Sequence, residues 1–152
     1  MTKEWIWFDM DGTIANLYGV ENWLPMLREY NPAPYAEAEV MLNMSLLARY
    51  LNKLKAVGYG IGIISWLSKN STTEYDEAVT AAKLNWLNKH LKSVDFDEIH
   101  IVEYGTPKSS FRETENDILF DDEERNREEW GKESFLPDNI MEMLKELLED
   151  AE

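Results

Sequence analysis

The sequence predicts an α/β fold, a parallel sheet with helices on both faces, and three observations carry that expectation. Short apolar strands alternate with amphipathic helices along the chain. Four of those strands run directly, or through one loop, into polar residues of different kinds, as expected where strand ends share one ligand-binding edge. No internal repeat, low-complexity stretch or linker interrupts the 152 residues, so residues 1–152 read as one domain with a single irregular insertion at about 16–42.

Each element has its own signal. Residues 4–8, Glu-Trp-Ile-Trp-Phe, are mostly aromatic and β-branched, as in a buried strand, and lead straight into Asp9-Met10-Asp11-Gly12-Thr13. Trp23, Leu24, Leu27 and Tyr30 have helical spacing, with Asn22 as the expected cap and Pro25 in the first turn. Asn31-Pro32-Ala33-Pro34 breaks the chain, and residues 35–42 are ambiguous. Leu46, Leu47, Tyr50, Leu51, Leu54 and Val57 mark one helix face that ends at Gly58. Residues 60–64 form a short apolar strand followed by Ser65 and Trp66. Ser71-Thr72-Thr73-Glu74 has capping-box spacing, and Tyr75, Val79, Ala82, Trp86, Leu87 and His90 give the helix behind it. A third strand spans 98–103, then a loop carries Lys108. A fourth, 117–120, ends in Asp121-Asp122, and a polar helix runs from about 123 to 130. Residues 133–136 suggest a fifth strand, and Ile140, Met141, Leu144, Leu147 and Leu148 stripe a closing helix before a fraying acidic tail, 149–152.

Composition excludes several classes. Hydrophobic content of 44% with 12% aromatic residues suits a packed core rather than a disordered chain. The absence of cysteine removes disulfides, thiolate metal sites and a Cys nucleophile. No apolar run is long enough to span a bilayer and no leader pattern is visible, so a cytoplasmic location is expected. Fifteen basic against 30 acidic residues give a net charge of −15, which repels nucleic-acid backbones and makes extended nucleic acid a poor partner.

The chemistry concentrates at the strand ends. Two carboxylates after an apolar strand are costly to desolvate unless a cation or substrate compensates them. Phosphoryl transfer through an aspartyl intermediate needs a nucleophilic carboxylate, a proton donor for the leaving alkoxide, a hydroxyl and an ammonium for phosphoryl oxygens, and a hard cation. Asp9, Asp11, Ser65, Lys108 and the Asp121-Asp122 pair supply those types in separate segments.

In that order the residues resemble the four motifs of the haloacid dehalogenase (HAD)-like hydrolase superfamily, over residues 4 to about 131. The resemblance implies a three-layer α/β/α Rossmann-like fold. It implies Asp9 as nucleophile and metal ligand, Asp11 as general acid/base with its carbonyl on the metal, and Thr13 and Ser65 as phosphoryl-positioning groups. It also implies Lys108 as the charge-stabilising lysine, and Asp121 and Asp122 completing a Mg²⁺ site. Lys69 competes for the lysine role; Lys108 is preferred because it precedes the last metal-binding strand. Asp121 and Asp122 point to opposite faces in an extended strand, so one is expected to reach the ion directly.

Set beside these, the bland readings are a turn for Asp9 and Asp11, a loop cap for Ser65, and a surface lysine for Lys108. His90 and His100 read as structural, Trp5, Trp7 and Trp86 as core, and Glu123, Glu124, Arg125, Arg127 and Glu128 as a solvated face. The insertion at 16–42 stands where HAD enzymes carry a cap, and is too short for a full cap domain. Trp23, Tyr30, Tyr35 and Trp66 are candidates to stack on a planar substrate. The leading expectation is a Mg²⁺-dependent phosphomonoesterase acting on a nucleotide-like substrate, of the 5′-nucleotidase type. The alternatives are a polynucleotide-end phosphatase and a catalytically idle nucleotide- or metal-binding module.

Overall fold

The structure is a computed structural model that describes residues 3–151; the last residue of the tail expected to fray, Glu152, lies outside them. Five parallel strands form the main sheet. They are β1 (Trp5–Phe8), β4 (Gly60–Trp66), β5 (Glu98–Val102), β6 (Ile118–Phe120) and β7 (Ser134–Phe135), in the order β5-β4-β1-β6-β7. The chain moves outward from β1 to β4 and β5, then returns to the other side of β1 for β6 and β7. The reversal lies between β1 and β6, where an open α/β sheet leaves a crevice beyond its strand ends.

Alternation along β1 sets the two layers. Ile6 and Phe8 join Ile61, Ile63, Ile118 and Phe120 in a core cluster on one face. That face is covered by α3 (Met44–Ala56), α4 (Thr73–His90) and α6 (Ile140–Asp150), through Leu47, Leu51, Leu54, Trp86, Leu87, Ile140 and Leu144. Trp5 and Trp7 point the other way and cluster with Ile64, Leu119 and Trp130, under α5 (Glu124–Trp130) and a short 3-10 turn at Lys108–Phe111. Their indoles stack at 4.8 Å and lie over Gly60 and Gly62, the residues paired with Trp5 and Trp7 across the β1–β4 ladder. A Cβ at either glycine would collide with the ring, so the Trp-x-Trp and Gly-x-Gly patterns fix the register together.

Several element boundaries differ from the sequence expectation. Asn22 precedes α1 (Trp23–Arg28) in the left-handed region and gives it no side-chain cap. The ambiguous stretch resolves into α2 (Ala33–Glu37), which begins inside the Pro-rich break, and β3 (Glu39–Val40), which pairs antiparallel with β2 (Ala15–Asn16). Thr72, not Ser71, caps α4 by accepting from the Tyr75 amide at 3.2 Å. Val57 falls beyond α3 and is exposed, because Gly58 turns the chain at positive φ. Glu149 and Asp150 of the expected fraying tail complete the last turn of α6.

The insertion packs against α4. Leu17 and Tyr35 are buried with Tyr75, Val79 and Ala82, so residues 16–42 form a wall above the α4 end of the sheet. No helix among the described residues is long and apolar enough to cross a membrane.

Candidate active site

The carboxyl ends of β1, β4 and β6 bring the expected polar residues together. Asp9, Asp121 and Asp122 can each offer one carboxylate oxygen such that all three lie within 4.8 Å of one another. Asp9 and Asp121 are buried. Lys108, only 1% exposed, reaches the cluster from the Trp5/Trp7 face, donating to Asp9 Oδ1 at 2.9 Å and Asp121 Oδ2 at 2.7 Å. Burial alone would depress its pKa, but the Asp9 and Asp121 carboxylates outweigh that and hold it above the ordinary lysine range. Lys69, its competitor, lies at the cavity rim with its ammonium 5.9 Å from the Tyr104 ring.

One ammonium does not balance three carboxylates. Burial first, then the neighbouring Asp9 charge, push Asp121 up to about 6 and Asp122 up to about 8. Three convergent carboxylates that are poorly compensated suit a hard divalent cation, which takes oxygen ligands and relieves the repulsion. The two adjacent aspartates differ in their engagement. Asp121 Oδ2 accepts from Lys108 and from Asn126 Nδ2 at 3.1 Å, while Oδ1 accepts from the Glu123 amide at 2.9 Å. Asp122 meets only the Thr13 hydroxyl, at 3.5 Å, among these hydrogen bonds. Gly12, at φ +81°, makes room for it, since a Cβ there would collide with Asp122 Oδ2.

The two expected hydroxyls are both buried. Thr13 is fully buried; its Oγ1 donates to Asp9 Oδ2 at 3.0 Å and accepts from the Asp122 amide at 3.2 Å. Its side chain therefore orients Asp9 instead of lining the cavity, a different engagement from the expected phosphoryl contact. Ser65 is also fully buried, and its Oγ accepts from Lys83 Nζ at 2.6 Å.

Lys83 was not singled out from the sequence. It is 1% exposed and enters from α4, on the Ile6/Phe8 face, opposite to Lys108. Its ammonium donates to Asp11 Oδ2 at 3.0 Å, Ser65 Oγ at 2.6 Å and the Trp66 carbonyl at 2.7 Å. The Asp11 side chain thus stands apart from the metal-type cluster and pairs with Lys83. Burial raises the Asp11 pKa; Lys83 partly offsets this, Asp9 adds to it, and the net direction is upward. The available signal was a lysine four residues after Val79 and four before Leu87, on the helix stripe that faces the core. Asn126 was likewise not singled out, and Arg127 was read as part of a solvated face. Asn126 is buried on Asp121, and Arg127 donates to the Asp121 carbonyl at 3.0 Å; Glu123, Glu124, Arg125 and Glu128 are exposed as expected.

Beside these groups opens a cavity of about 610 Å³, lined by Asp9, Asp11, Lys108 and Asp122 at its floor. Tyr18, Trp23, Tyr30, Tyr35, Trp66 and Tyr104 form aromatic walls, and Arg28 and Lys69 add positive charge. Trp66 is fixed in place: its indole donates to the Thr106 carbonyl at 2.8 Å, packs on Tyr104 at 5.0 Å, and has the Arg125 guanidinium 5.0 Å from its ring. Tyr35 is more buried than expected of a stacking residue and bonds Ser68 at 2.6 Å. His90 and His100 are remote from this cavity; His100 packs on Phe111 and pairs with Glu98.

Among solved structures the chain is similar to the D,D-heptose 1,7-bisphosphate phosphatase from Burkholderia thailandensis. The likeness covers 96% of this chain and 99% of that one, with a TM-score of 0.60 and 16% sequence identity. The chain shares that protein's fold, a parallel sheet with helices on both faces. At that identity the likeness is one of fold, and the chemistry rests on the residues themselves. No family model matches the sequence, and no curated protein matches it.

Proposed function

We propose that this chain is a divalent-metal-dependent phosphomonoester hydrolase that works through an aspartyl-phosphate on Asp9. The observation that supports it best is the convergence of Asp9, Asp121 and Asp122, with Lys108 as the single ammonium on them among the described residues, at the floor of an aromatic cavity. Asp9, Asp122 and Asp121 would hold the ion, with the Asp11 carbonyl as a further ligand. When bound, Mg²⁺ neutralises charge between nucleophile and phosphate.

The protein groups then divide the work. Thr13 and Lys108 orient the two Asp9 oxygens, so the carboxylate meets phosphorus in a fixed attitude. An Asp9 oxygen forms a bond to phosphorus while the bond to the ester oxygen breaks, and the Asp11 carboxyl gives its proton to the departing alkoxide. Water next attacks the phosphorus of the aspartyl-phosphate, Asp11 takes a proton from it, and inorganic phosphate leaves with the Asp9 carboxylate restored. Burial and the Asp9 charge favour a protonated Asp11, as its first role requires.

A nucleotide-like substrate fits the surroundings. Six aromatic side chains on the cavity wall offer faces for a planar base, and Trp66 is held rigidly enough to serve as a platform. The elements within residues 16–42 supply much of that wall, which supports reading the insertion as a reduced cap. A panel of nucleoside monophosphates, sugar phosphates and phosphorylated oligonucleotides, assayed with and without Mg²⁺, tests both parts. Mg²⁺-dependent release of phosphate from mononucleotides is expected. Strong preference for sugar phosphates would remove the nucleotide assignment, preference for oligonucleotides would favour the polynucleotide-end alternative, and no release from any ester would leave an idle binding module.

A further inference from the structure

We infer that Lys83 is a positioning residue for the proton donor, locking Asp11 into the orientation that ester cleavage needs and anchoring it to Ser65 and the Trp66 carbonyl. The inference rests on the phosphatase reading above and assigns the second lysine of the site, which that reading leaves without a task.

An ammonium has three protons and no acceptor. Lys83 has three acceptors around it, Asp11 Oδ2, Ser65 Oγ and the Trp66 carbonyl, at 3.0, 2.6 and 2.7 Å. A fully buried ammonium with all three protons directed cannot turn without losing a charge-assisted bond, so it acts as a rigid bracket. The bracket fixes two things. It fixes Asp11 by one oxygen: Oδ2 is held, while Oδ1 accepts no hydrogen bond among the described residues and Asp11 lines the cavity. It also sets the polarity of Ser65. Because Lys83 can only donate, Ser65 Oγ must accept from it, and the single hydroxyl proton is left to be donated elsewhere.

The bracket is tied to the insertion as well. The Lys83 ammonium lies 5.0 Å from the ring of Tyr35 in α2. Lys108 performs a separate task, because its contacts are Asp9 and Asp121 and include neither Asp11 nor Ser65.

Leaving groups separate this role from a merely structural one. An aryl phosphate such as p-nitrophenyl phosphate departs as a stable phenolate and needs little proton donation; an alkyl phosphate departs only if Asp11 protonates it. General-acid assistance is worth about 10²- to 10⁴-fold. Asp11 also activates the water that cleaves the aspartyl-phosphate common to both esters, so the esters are compared in kcat/KM, which ends at departure of the leaving group. In Lys83→Met we expect kcat/KM on an alkyl phosphate to fall about 100-fold, while kcat/KM on p-nitrophenyl phosphate falls less than about 10-fold. Lys83→Met placed in an Asp11→Asn background should then add little further loss on the alkyl ester, because both changes disable one device. Lys83→Arg keeps the charge but cannot serve three acceptors around one tetrahedral nitrogen. It should show the same selective loss, and carries the test if the Met variant does not fold. Equal losses in kcat/KM on the two esters, or fully additive losses in the double variant, would overturn the inference and leave the phosphatase reading standing. Wild-type protein inert towards both esters would remove the phosphatase reading and this inference with it.

Discussion

The two ends of β6 carry buried aspartates in opposite circumstances. At its start Asp117 is fully buried, yet every demand is met by neutral donors. Its carboxylate accepts from the Trp5 amide at 2.9 Å, Trp7 Nε1 at 3.1 Å, the Glu113 amide at 2.8 Å and the Thr114 hydroxyl at 2.7 Å. No other carboxylate joins it in a metal-type group among the described residues. At the far end of the same strand, Asp121 and Asp122 crowd against Asp9 with Lys108 as the one cation in contact among the described residues, and both are pushed upward in pKa. One end is a finished structural node that fastens β1 to β6. The other carries more carboxylate than cationic charge, the imbalance that the proposed metal ion would relieve.

The comparison breaks most visibly by substitution at each end. Asp9→Asn removes the nucleophile while keeping shape and hydrogen-bonding capacity, so Mg²⁺-dependent turnover of p-nitrophenyl phosphate should fall by at least about 10⁴-fold. Its circular dichroism should match wild type; retained turnover would remove Asp9 from its role. Asp117→Ala is expected to do the reverse. It strands several buried donors, and unfolding in urea should show a loss of about 3 kcal/mol or more. The protein that remains folded should keep its kcat.

A smaller effect follows from the sign of the pKa shifts. A carboxyl whose folded pKa lies above its unfolded value binds more protons folded than unfolded. Its contribution therefore declines as pH rises through the interval between the two. For Asp122 that interval runs from 3.8 to about 8, and for Asp121 from 3.8 to about 6. Metal-free protein should lose thermal stability from pH 5 to pH 8, and saturating Mg²⁺ should raise Tm more at pH 8 than at pH 6. Asp122→Asn should flatten that dependence, which separates the cluster from the general repulsion of a chain with net charge −15. An equal Mg²⁺ effect at both pH values would count against a metal at this cluster. The mildest effect is expected at the wall. Trp66→Ala should raise KM for a nucleoside monophosphate about 10-fold, from one lost stacking contact, with a lesser change for a non-aromatic phosphate ester.

The strand-end cluster was legible because it is built from residue types that are conspicuous after apolar runs: Asp9-Met10-Asp11 after β1 and Asp121-Asp122 after β6. The five parallel strands followed from the same alternation, with small changes of boundary. What stayed hidden were polar residues placed inside elements. Asp117 begins a strand, Asn126 sits in a helix full of charges, and Lys83 occupies a core-facing position of α4 that hydrophobic periodicity passes over. Their partners lie far along the chain: Lys83 on Asp11, Asp117 on Trp5 and Trp7, and Thr13 on Asp122. A linear reading finds residues that announce a site, while those that hold it in place become visible only when the sheet brings distant segments together. The insertion was obscure for a related reason: Pro32, Pro34 and a two-residue strand leave too short a pattern to show periodicity.

The most direct test of the central claim is chemical trapping during turnover. Protein hydrolysing an aryl phosphate with Mg²⁺ is quenched in acid, and the acyl phosphate is reduced with borohydride, which converts a phosphorylated aspartate to homoserine. Peptide mass spectrometry should find that conversion at Asp9 alone, dependent on substrate and Mg²⁺. Conversion at another carboxylate, or turnover with no trapped residue, would contradict the account.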